Sequence, residues 1–285
     1  TMSESHARSV QQLMDLSGRT ALVTGGSRGL GLQMAQALGE AGARLVISSR
    51  KENELADAAE QLRAAGIDVT PLAVDLADED AVIGLADRAL EVLGRVDILV
   101  NNAGILRDKS FAKMDMSDWD KVVAVHLTGS AICTRAVWPV MREQKYGRVI
   151  MTTSTSGLYG NFGQANYGAA KMAVAGLMNT LCLEGEKYDI KVNCIAPTAA
   201  TRMTEDLMPK EVLALLEPEA ITPAVLFLAS DQAPNQRIVL AGAGCYAMVR
   251  LMESDGIYLN EEERTPDAIA AQFEQLGDMG NAREM

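Results

Sequence analysis

Tyr167 and Lys171 stand four positions apart, and Ser154 lies thirteen positions before the tyrosine. On a helix, a spacing of four puts two side chains one turn apart on the same face. This pair therefore holds an ammonium beside a phenol. A free tyrosine titrates near ~10 and exchanges protons poorly at neutral pH. A neighbouring positive charge favours the phenolate and moves the group toward the working range of general acid–base catalysis. Ser154 offers a second hydrogen bond to the same substrate oxygen. The trio is useful only alongside a group that carries the rest of the chemistry, so the elements around it have to supply one.

Thr20-Ala21-Leu22-Val23-Thr24 is a short apolar run that reads as a buried strand. It enters Gly25-Gly26-Ser27-Arg28-Gly29-Leu30-Gly31, which opens an amphipathic helix ending near Gly42. Glycines between a strand and a helix let backbone approach a pyrophosphate at the helix N-terminus. The second strand, Arg44–Ser48, is followed by Ser49 and Arg50. An acid at that position binds a ribose 2′-hydroxyl, whereas arginine accommodates a 2′-phosphate. With Ser49 and Arg50 there, and Arg28 in the glycine turn, NADP(H) is expected in preference to NAD(H). The plainer alternative is that Arg50 and Lys51 only begin a solvated helix.

Further along, the strand Val69–Val74 ends at Asp75-Leu76. Asp75 suits either an adenine amino group or the cap of the next helix. Val96–Val100 is the fourth strand and closes on Asn101-Asn102-Ala103-Gly104, where small residues suit close passage past a ligand. The spacing predicts one long helix from Ser117 to Gln144 with His126 in its middle, a place where a lone histidine is commonly a core group. Gly147–Thr152 reads as the strand that delivers Ser154, and the Tyr167 helix runs to about Lys187. Strand Lys191–Ile195 ends at Ala196-Pro197-Thr198. Met203, Leu207 and Met208, in the stretch 201–216, fit a flexible lid or the stripe of an ordinary helix equally well. Helix Pro223–Ser230 and strand Ile238–Ala241 complete the alternation, and a helix is expected over Pro266–Leu276.

Net charge of −12 over 285 residues excludes a basic nucleic-acid footprint and disfavours anionic membrane. The 48% hydrophobic share is ordinary for a globular α/β chain. Cys133, Cys182, Cys194 and Cys245 form no CxxC pair and are expected as buried reduced thiols. With two histidines, a metal site is not expected. No apolar run reaches membrane-span length, and neither an export signal nor a C-terminal Ser-Lys-Leu address is evident, so a cytoplasmic protein is expected.

About seven alternations of strand and helix imply a single α/β domain: a doubly wound, mostly parallel seven-stranded sheet covered on both faces. The expected division is an arm over 1–17, the sheet domain over 18–244 and an extension over 245–285 that covers the substrate mouth or crosses to a neighbouring subunit. Ligands bind at the carboxyl ends of such strands. Gly25, Ser49, Asp75, Asn102, Ser154 and Pro197 all fall there, which points to dinucleotide-dependent hydride transfer on a small molecule.

Thr24-Gly25-xxx-Gly29-x-Gly31, Asn101-Asn102-Ala103-Gly104, Ser154 and Tyr167-xxx-Lys171 together resemble the short-chain dehydrogenase/reductase family, with its Rossmann-type fold. From about residue 100 onward, Val125–Ser130, Gly157–Tyr167 and Arg202-Met203-Thr204 are similar to the (3R)-hydroxyacyl-CoA dehydrogenase units of peroxisomal multifunctional enzymes of type 2. The resemblance implies that Lys171 binds nicotinamide-ribose hydroxyls and lowers the Tyr167 pKa. Tyr167 would exchange the proton and Ser154 would hold the substrate oxygen. It further implies a dinucleotide on Gly25, Ser27, Arg28, Gly29, Leu30, Gly31, Ser49, Arg50, Asp75, Leu76, Asn102, Ala103, Gly104, Pro197 and Thr198, in a homodimer or homotetramer. Two departures stand out. His126 occupies a place where the wider family carries asparagine, and an imidazole there would change charge near pH 6.5. Ser49-Arg50 replaces the acid of the NAD-using relatives. The implied substrate is a 3-hydroxyacyl or 3-oxoacyl thioester; a steroid or other bulky secondary alcohol is the rival, and a cofactor-binding regulatory protein the non-enzymatic one.

Overall fold

The computed structural model describes residues 14–198 and 217–285. The methionine-rich stretch 201–216 and most of the expected arm lie outside them. The described residues divide into two compact units at Ala247/Met248.

The first unit is built on β1 (Thr20–Thr24), β2 (Arg44–Ser49), β3 (Val69–Ala73), β4 (Ile98–Asn101), β5 (Gly147–Thr152), β6 (Ile190–Pro197), β7 (Ile238–Gly242) and β8 (Cys245–Val249). They form a sheet in the order β3-β2-β1-β4-β5-β6-β7-β8. The neighbours from β3 through β7 all pair in parallel. Every residue of β1, β4 and β5 is buried, as expected for strands covered on both faces. The eighth strand lay unseen in the expected extension. Ala243 and Gly244, at φ +50° and +74°, turn the chain between β7 and β8.

Helices α1 (Gly29–Glu40) and α2 (Glu52–Ala64) follow β1 and β2, and α3 (Glu79–Leu93) follows β3. The predicted helix over 117–144 is interrupted. It consists of α4 (Met116–Val123), a π-helical turn (Ala124–Thr128) and α5 (Gly129–Gln144). Ser130 and Thr134 hydroxyls donate to the carbonyls of His126 (2.7 Å) and Ser130 (2.7 Å), a local competition that loosens regular helix. Such a widened turn redirects a side chain; here it is the turn that carries His126. The short helix α6 (Thr155–Tyr159) precedes the long helix α7 (Ala165–Gly185), and α8 (Thr222–Ala229) precedes β7. Helices α1, α2 and α8 share one face of the sheet, while α5 and α7 pack together on the other with α3 against α5. Among the described residues no helix is long and apolar enough to cross a membrane.

Because β1 pairs with β2 on one side and β4 on the other, the crossovers leave it in opposite directions. The carboxyl ends of β1 and β4 therefore border the crevice that an open α/β sheet offers a ligand. The opposite edge is fastened by charge. Buried Arg148 donates to the carbonyls of Ser230 (2.8 Å) and Asp189 (2.8 Å) and pairs with the Asp189 carboxylate at 3.2 Å. The Tyr146 ring lies between the guanidiniums of Arg19 and Arg148, 3.6 and 4.1 Å from its centroid.

The second unit holds the antiparallel pair β9 (Met252–Glu253) and β10 (Arg283–Glu284). The helix expected over 266–276 is split there into α9 (Pro266–Ala271) and α10 (Phe273–Leu276). Thr265 caps α9 by accepting from the Ala268 amide.

Arg148→Ala leaves the buried Ser230 carbonyl without its side-chain donor, removes the ion pair to Asp189 and takes one stacking partner from Tyr146. Urea unfolding is expected to show a loss of about 3 kcal/mol, and an unchanged midpoint would contradict this account of the fastened edge.

Candidate active site

One cleft of about 520 Å³ runs along the carboxyl ends of the strands. Gly25, Ser27, Arg28, Gly29, Leu30 and Gly31 line it, with Ser49 and Arg50, Asp75 and Leu76, Asn102, Ala103 and Gly104, His126, Tyr167, Lys171 and Pro197. Thr198 and Ser154 are not among the lining residues. Thr198 is used in the sheet, donating its amide to Ala241 at 2.8 Å.

The glycine turn is shaped by what it excludes. A Cβ on Gly31 would lie 2.0 Å from the Gly25 carbonyl oxygen, and one on Gly25 would lie 2.7 Å from the Ala103 Cα. Asn102 Nδ2 donates to the Thr24 and Gly25 carbonyls, each at 3.3 Å, and the Thr24 hydroxyl accepts from the amides of Asn102 (3.1 Å) and Ala103 (3.2 Å). The turns after β1 and β4 thus interlock. Helix α1 begins at Arg28 with no side-chain cap and no acid in its first turn. Its leading amides and the positive end of its dipole consequently face the cleft, an arrangement suited to a phosphate. The buried Thr152 hydroxyl, also on the cleft wall, has no protein partner. An ungirded helix start, a turn without side chains and an unpartnered buried hydroxyl fit a dinucleotide.

Tyr167 and Lys171 emerge from α7. The α6 turn presses on this helix closely: a Cβ on Gly157 would lie 2.8 Å from the Lys171 Cβ. The Thr153 hydroxyl donates to the Lys171 carbonyl at 2.6 Å, binding helix to strand. Ser154 starts α6 by accepting from the Ser156 amide at 3.1 Å, and its hydroxyl acts to lower the pKa of the Tyr167 phenol.

The charges differ from the expected arrangement of an ammonium lowering a phenol. Lys171 is 3% exposed; burial brings its pKa down to about 7, opposed by the nearby Cys194 thiol. Its Nζ donates to the Thr152 carbonyl at 2.6 Å and sits 5.6 Å from the centre of the Tyr167 ring. Tyr167 lies above its ordinary value of 10, because burial outweighs the lowering bond from Ser154 and the Asp108 carboxylate adds to the rise. A dry pocket disfavours both charged forms at once.

His126 also departs from expectation. Its ring stands edge-on to Tyr167, with centroids 5.0 Å apart at 90°. Nε2 lies 3.0 Å from the Ile105 amide and 2.8 Å from its carbonyl oxygen, while Nδ1 is buried without a partner. A Cβ on Gly104 would meet this ring at 2.4 Å. Burial first, and the Lys171 charge second, bring the imidazole pKa down to about 3, so it stays neutral near pH 6.5. It is a wedge between the β4 turn and the phenol.

Asp75 lines the cleft and its Oδ1 accepts from the Ala77 amide at 3.0 Å, while the cap of α3 is Asp78 and not Asp75. Several neighbours went unnoticed in the sequence. Asp108 accepts from Gln164 Nε2 at 2.8 Å, Gln164 accepts from Asn161 at 3.0 Å, and the Lys109 amide donates to the Gly163 carbonyl at 2.9 Å. These bonds stitch residues 107–110 to the loop that leads into Tyr167. The Asp108–Gln164 and Lys109–Gly163 bonds join residues more than fifty positions apart, which leaves no local pattern. Glu54 also lines the cleft, pairing with Lys51 and Arg28. Of the thiols, Cys133, Cys182 and Cys194 are buried, and Cys245 is exposed rather than buried as expected.

The sequence profile of the family described as short chain dehydrogenase matches residues 19–212. The chain belongs to the short-chain dehydrogenase family. It is an oxidoreductase that acts on a CH–OH group of a small molecule and uses a nicotinamide dinucleotide. Peroxisomal multifunctional enzyme type 2 of Mus musculus is 41% identical over 281 residues, covering 93% of this chain but 37% of the mouse protein. The chain thus spans about a third of that relative. A 3-oxoacyl-(acyl-carrier-protein) reductase of Synechocystis is 39% identical over 226 residues, covering 76% of this chain and 92% of the relative. The solved full-length multifunctional enzyme type 2 of Drosophila melanogaster superimposes with a TM-score of 0.81 at 35% identity, covering 95% of this chain and 47% of that one.

The neutral His126 has a stability signature. Below its ordinary 6.5 the unfolded chain takes up a proton that the folded protein refuses until about 3. Its contribution is therefore complete above pH 6.5 and declines as the pH falls toward 3. His126→Asn is expected to lose less stability than wild type across that window in denaturant titrations. Parallel pH dependences would show that the imidazole takes up its proton normally in the fold.

Proposed function

We propose that this chain interconverts 3-oxoacyl and 3-hydroxyacyl thioesters with NADP(H), using Tyr167 as the proton-transferring group. One observation carries the reading: a single cleft joins the glycine turn and its basic end, Arg28 and Arg50, to the Tyr167–Lys171 pair. The substrate class rests on the names of the mouse and Synechocystis relatives.

In this reading the amides at the start of α1 and the Gly25–Gly31 turn hold the pyrophosphate. Ser49, Arg28 and Arg50 receive the 2′-phosphate. Asp75-Leu76, Asn102-Ala103-Gly104 and Pro197 border the two nucleoside ends, and Lys171 takes the nicotinamide-ribose hydroxyls. The bound dinucleotide supplies the hydride. Ser154 donates to the substrate oxygen, a bond that strengthens as negative charge develops there. Tyr167 delivers the proton to that oxygen, and its upward-shifted pKa keeps the phenol protonated, which suits ketone reduction. Lys171, near 7, changes charge close to neutrality and sets how readily the phenol gives up its proton. His126 holds the phenol ring edge-on and takes no proton.

A homodimer or homotetramer belongs to the same reading, supported by the exposed apolar Met172 and Leu183 along α7. So does a reducing compartment, the cytoplasm, supported by three free buried thiols.

Tyr167→Phe is expected to reduce kcat/KM by about a hundredfold or more with little change in dinucleotide binding; retained turnover would remove the assignment. In parallel assays of 3-oxoacyl-CoA and steroid ketones followed by NADPH absorbance, the thioesters are expected to be preferred. Good steroid turnover with none on any thioester would replace the substrate class.

A further inference from the structure

The basic end of the cleft is not purely basic. The second strand lacks the acid that would accept a ribose hydroxyl, yet a carboxylate reaches the cleft from the first turn of α2. Glu54 Oε1 lies 2.7 Å from Lys51 Nζ and its Oε2 lies 3.3 Å from the Arg28 guanidinium. All three line the same end of the cleft as Ser49 and Arg50. Arg28 belongs to the β1 turn and Lys51 to the β2 turn, so one carboxylate bridges the two loops across the mouth.

Two physical features make this bridge more than a surface ornament. Glu54 sits in the first turn of α2, where the helix dipole favours a negative charge, so it is held in place from behind. Its partners are well solvated: the Arg28 and Lys51 side chains are 55% and 62% exposed, against 33% for Glu54. Ion pairs of that kind are individually weak and readily exchanged. The carboxylate thus occupies the cations that a dianionic phosphate would take, at little cost to remove. It is also an acceptor of the kind that binds ribose hydroxyls when no phosphate is present.

We propose that Glu54 is the internal competitor of the 2′-phosphate, and that it sets the ratio of NADP(H) to NAD(H) affinity in this protein. With NADP(H), the phosphate takes Arg28 and Lys51 from the carboxylate and meets its repulsion. With NAD(H), the bridge persists and the carboxylate is left facing the ribose. Glu54 therefore narrows a preference for NADP(H) that Arg28, Arg50 and Lys51 together would make steep. This rests on the dinucleotide reading of the cleft and assigns to it a residue that opposes the basic ones.

The test is direct binding, independent of turnover. Dissociation constants for NADPH and NADH are read from reduced-nicotinamide fluorescence on the intact protein. Glu54→Gln keeps the shape and removes the charge. It is expected to raise the ratio of Kd for NADH to Kd for NADPH by about fivefold. Lys51→Gln is expected to move the ratio the other way. Glu54→Asp, which shortens the reach but keeps the charge at the helix start, serves as the second variant and should raise the ratio less than glutamine does. A ratio that stays within twofold of wild type in both Glu54 variants, while both dinucleotides still bind, overturns the proposal alone. Failure of wild type to bind either dinucleotide overturns the cleft reading and this proposal with it.

Discussion

The burial of Lys171 governs the electrostatics of this protein. An ammonium removed from water is costly unless it is hydrogen-bonded, and here its acceptor is the Thr152 carbonyl at the end of β5. That contact needs α7 close against β5, which the Thr153 hydroxyl and the side-chain-free Gly157 allow. Consequences spread from it. Lys171 lowers His126, opposes the rise that burial imposes on the Cys194 thiol, and is itself brought near neutrality. The phenol beside it shares the same dry surroundings and rises instead of falling. A group tuned by desolvation responds to anything that fills the cleft, so the protonation states of the trio and the contents of the cleft are linked by the same physics.

A second constraint is steric and concerns the backbone. The turns after β1 and β4 approach so closely that no side chain fits at Gly25 or Gly31, and Asn102 spans them with its amide. This interlock lets an anionic ligand meet amides and a helix start without intervening side chains. The histidine wedge extends the same wall: Gly104 admits the His126 ring, and that ring bears on Tyr167. Position is therefore transmitted from the switch in strand order to the Tyr167 phenol through packed contacts. The bond from Gln164 to Asp108 ties the loop that leads into Tyr167 to the segment after β4.

Much of this was legible in the residues. Strands β1, β2 and β5 fell where short apolar runs stood, because a strand covered on both faces has to be largely apolar. The grouping of Gly25, Ser49, Asp75, Asn102 and Pro197 along one edge follows from alternation, since parallel strands send all their carboxyl ends the same way. The family likeness rests on motifs with that order. Regular periodicity, in contrast, concealed the π-helical turn at Ala124–Thr128, which is marked by the Ser130 hydroxyl donating to the His126 carbonyl and not by a change in apolar pattern. The eighth strand was hidden as well, in a segment without strong alternation.

Residue types and spacing thus specified which groups meet: a tyrosine and a lysine one helical turn apart, with glycines where backbone has to pass. They did not specify how dry that meeting place is. Charge states follow from burial and from neighbours distant along the chain, and neither is written in local order. This is why Lys171 and His126 carry less charge than their types suggest, and why the acid missing after β2 returns as Glu54 from the next helix. Spacing along a helix is a local geometric property, whereas desolvation and long-range pairing exist only once the strands have closed over the site.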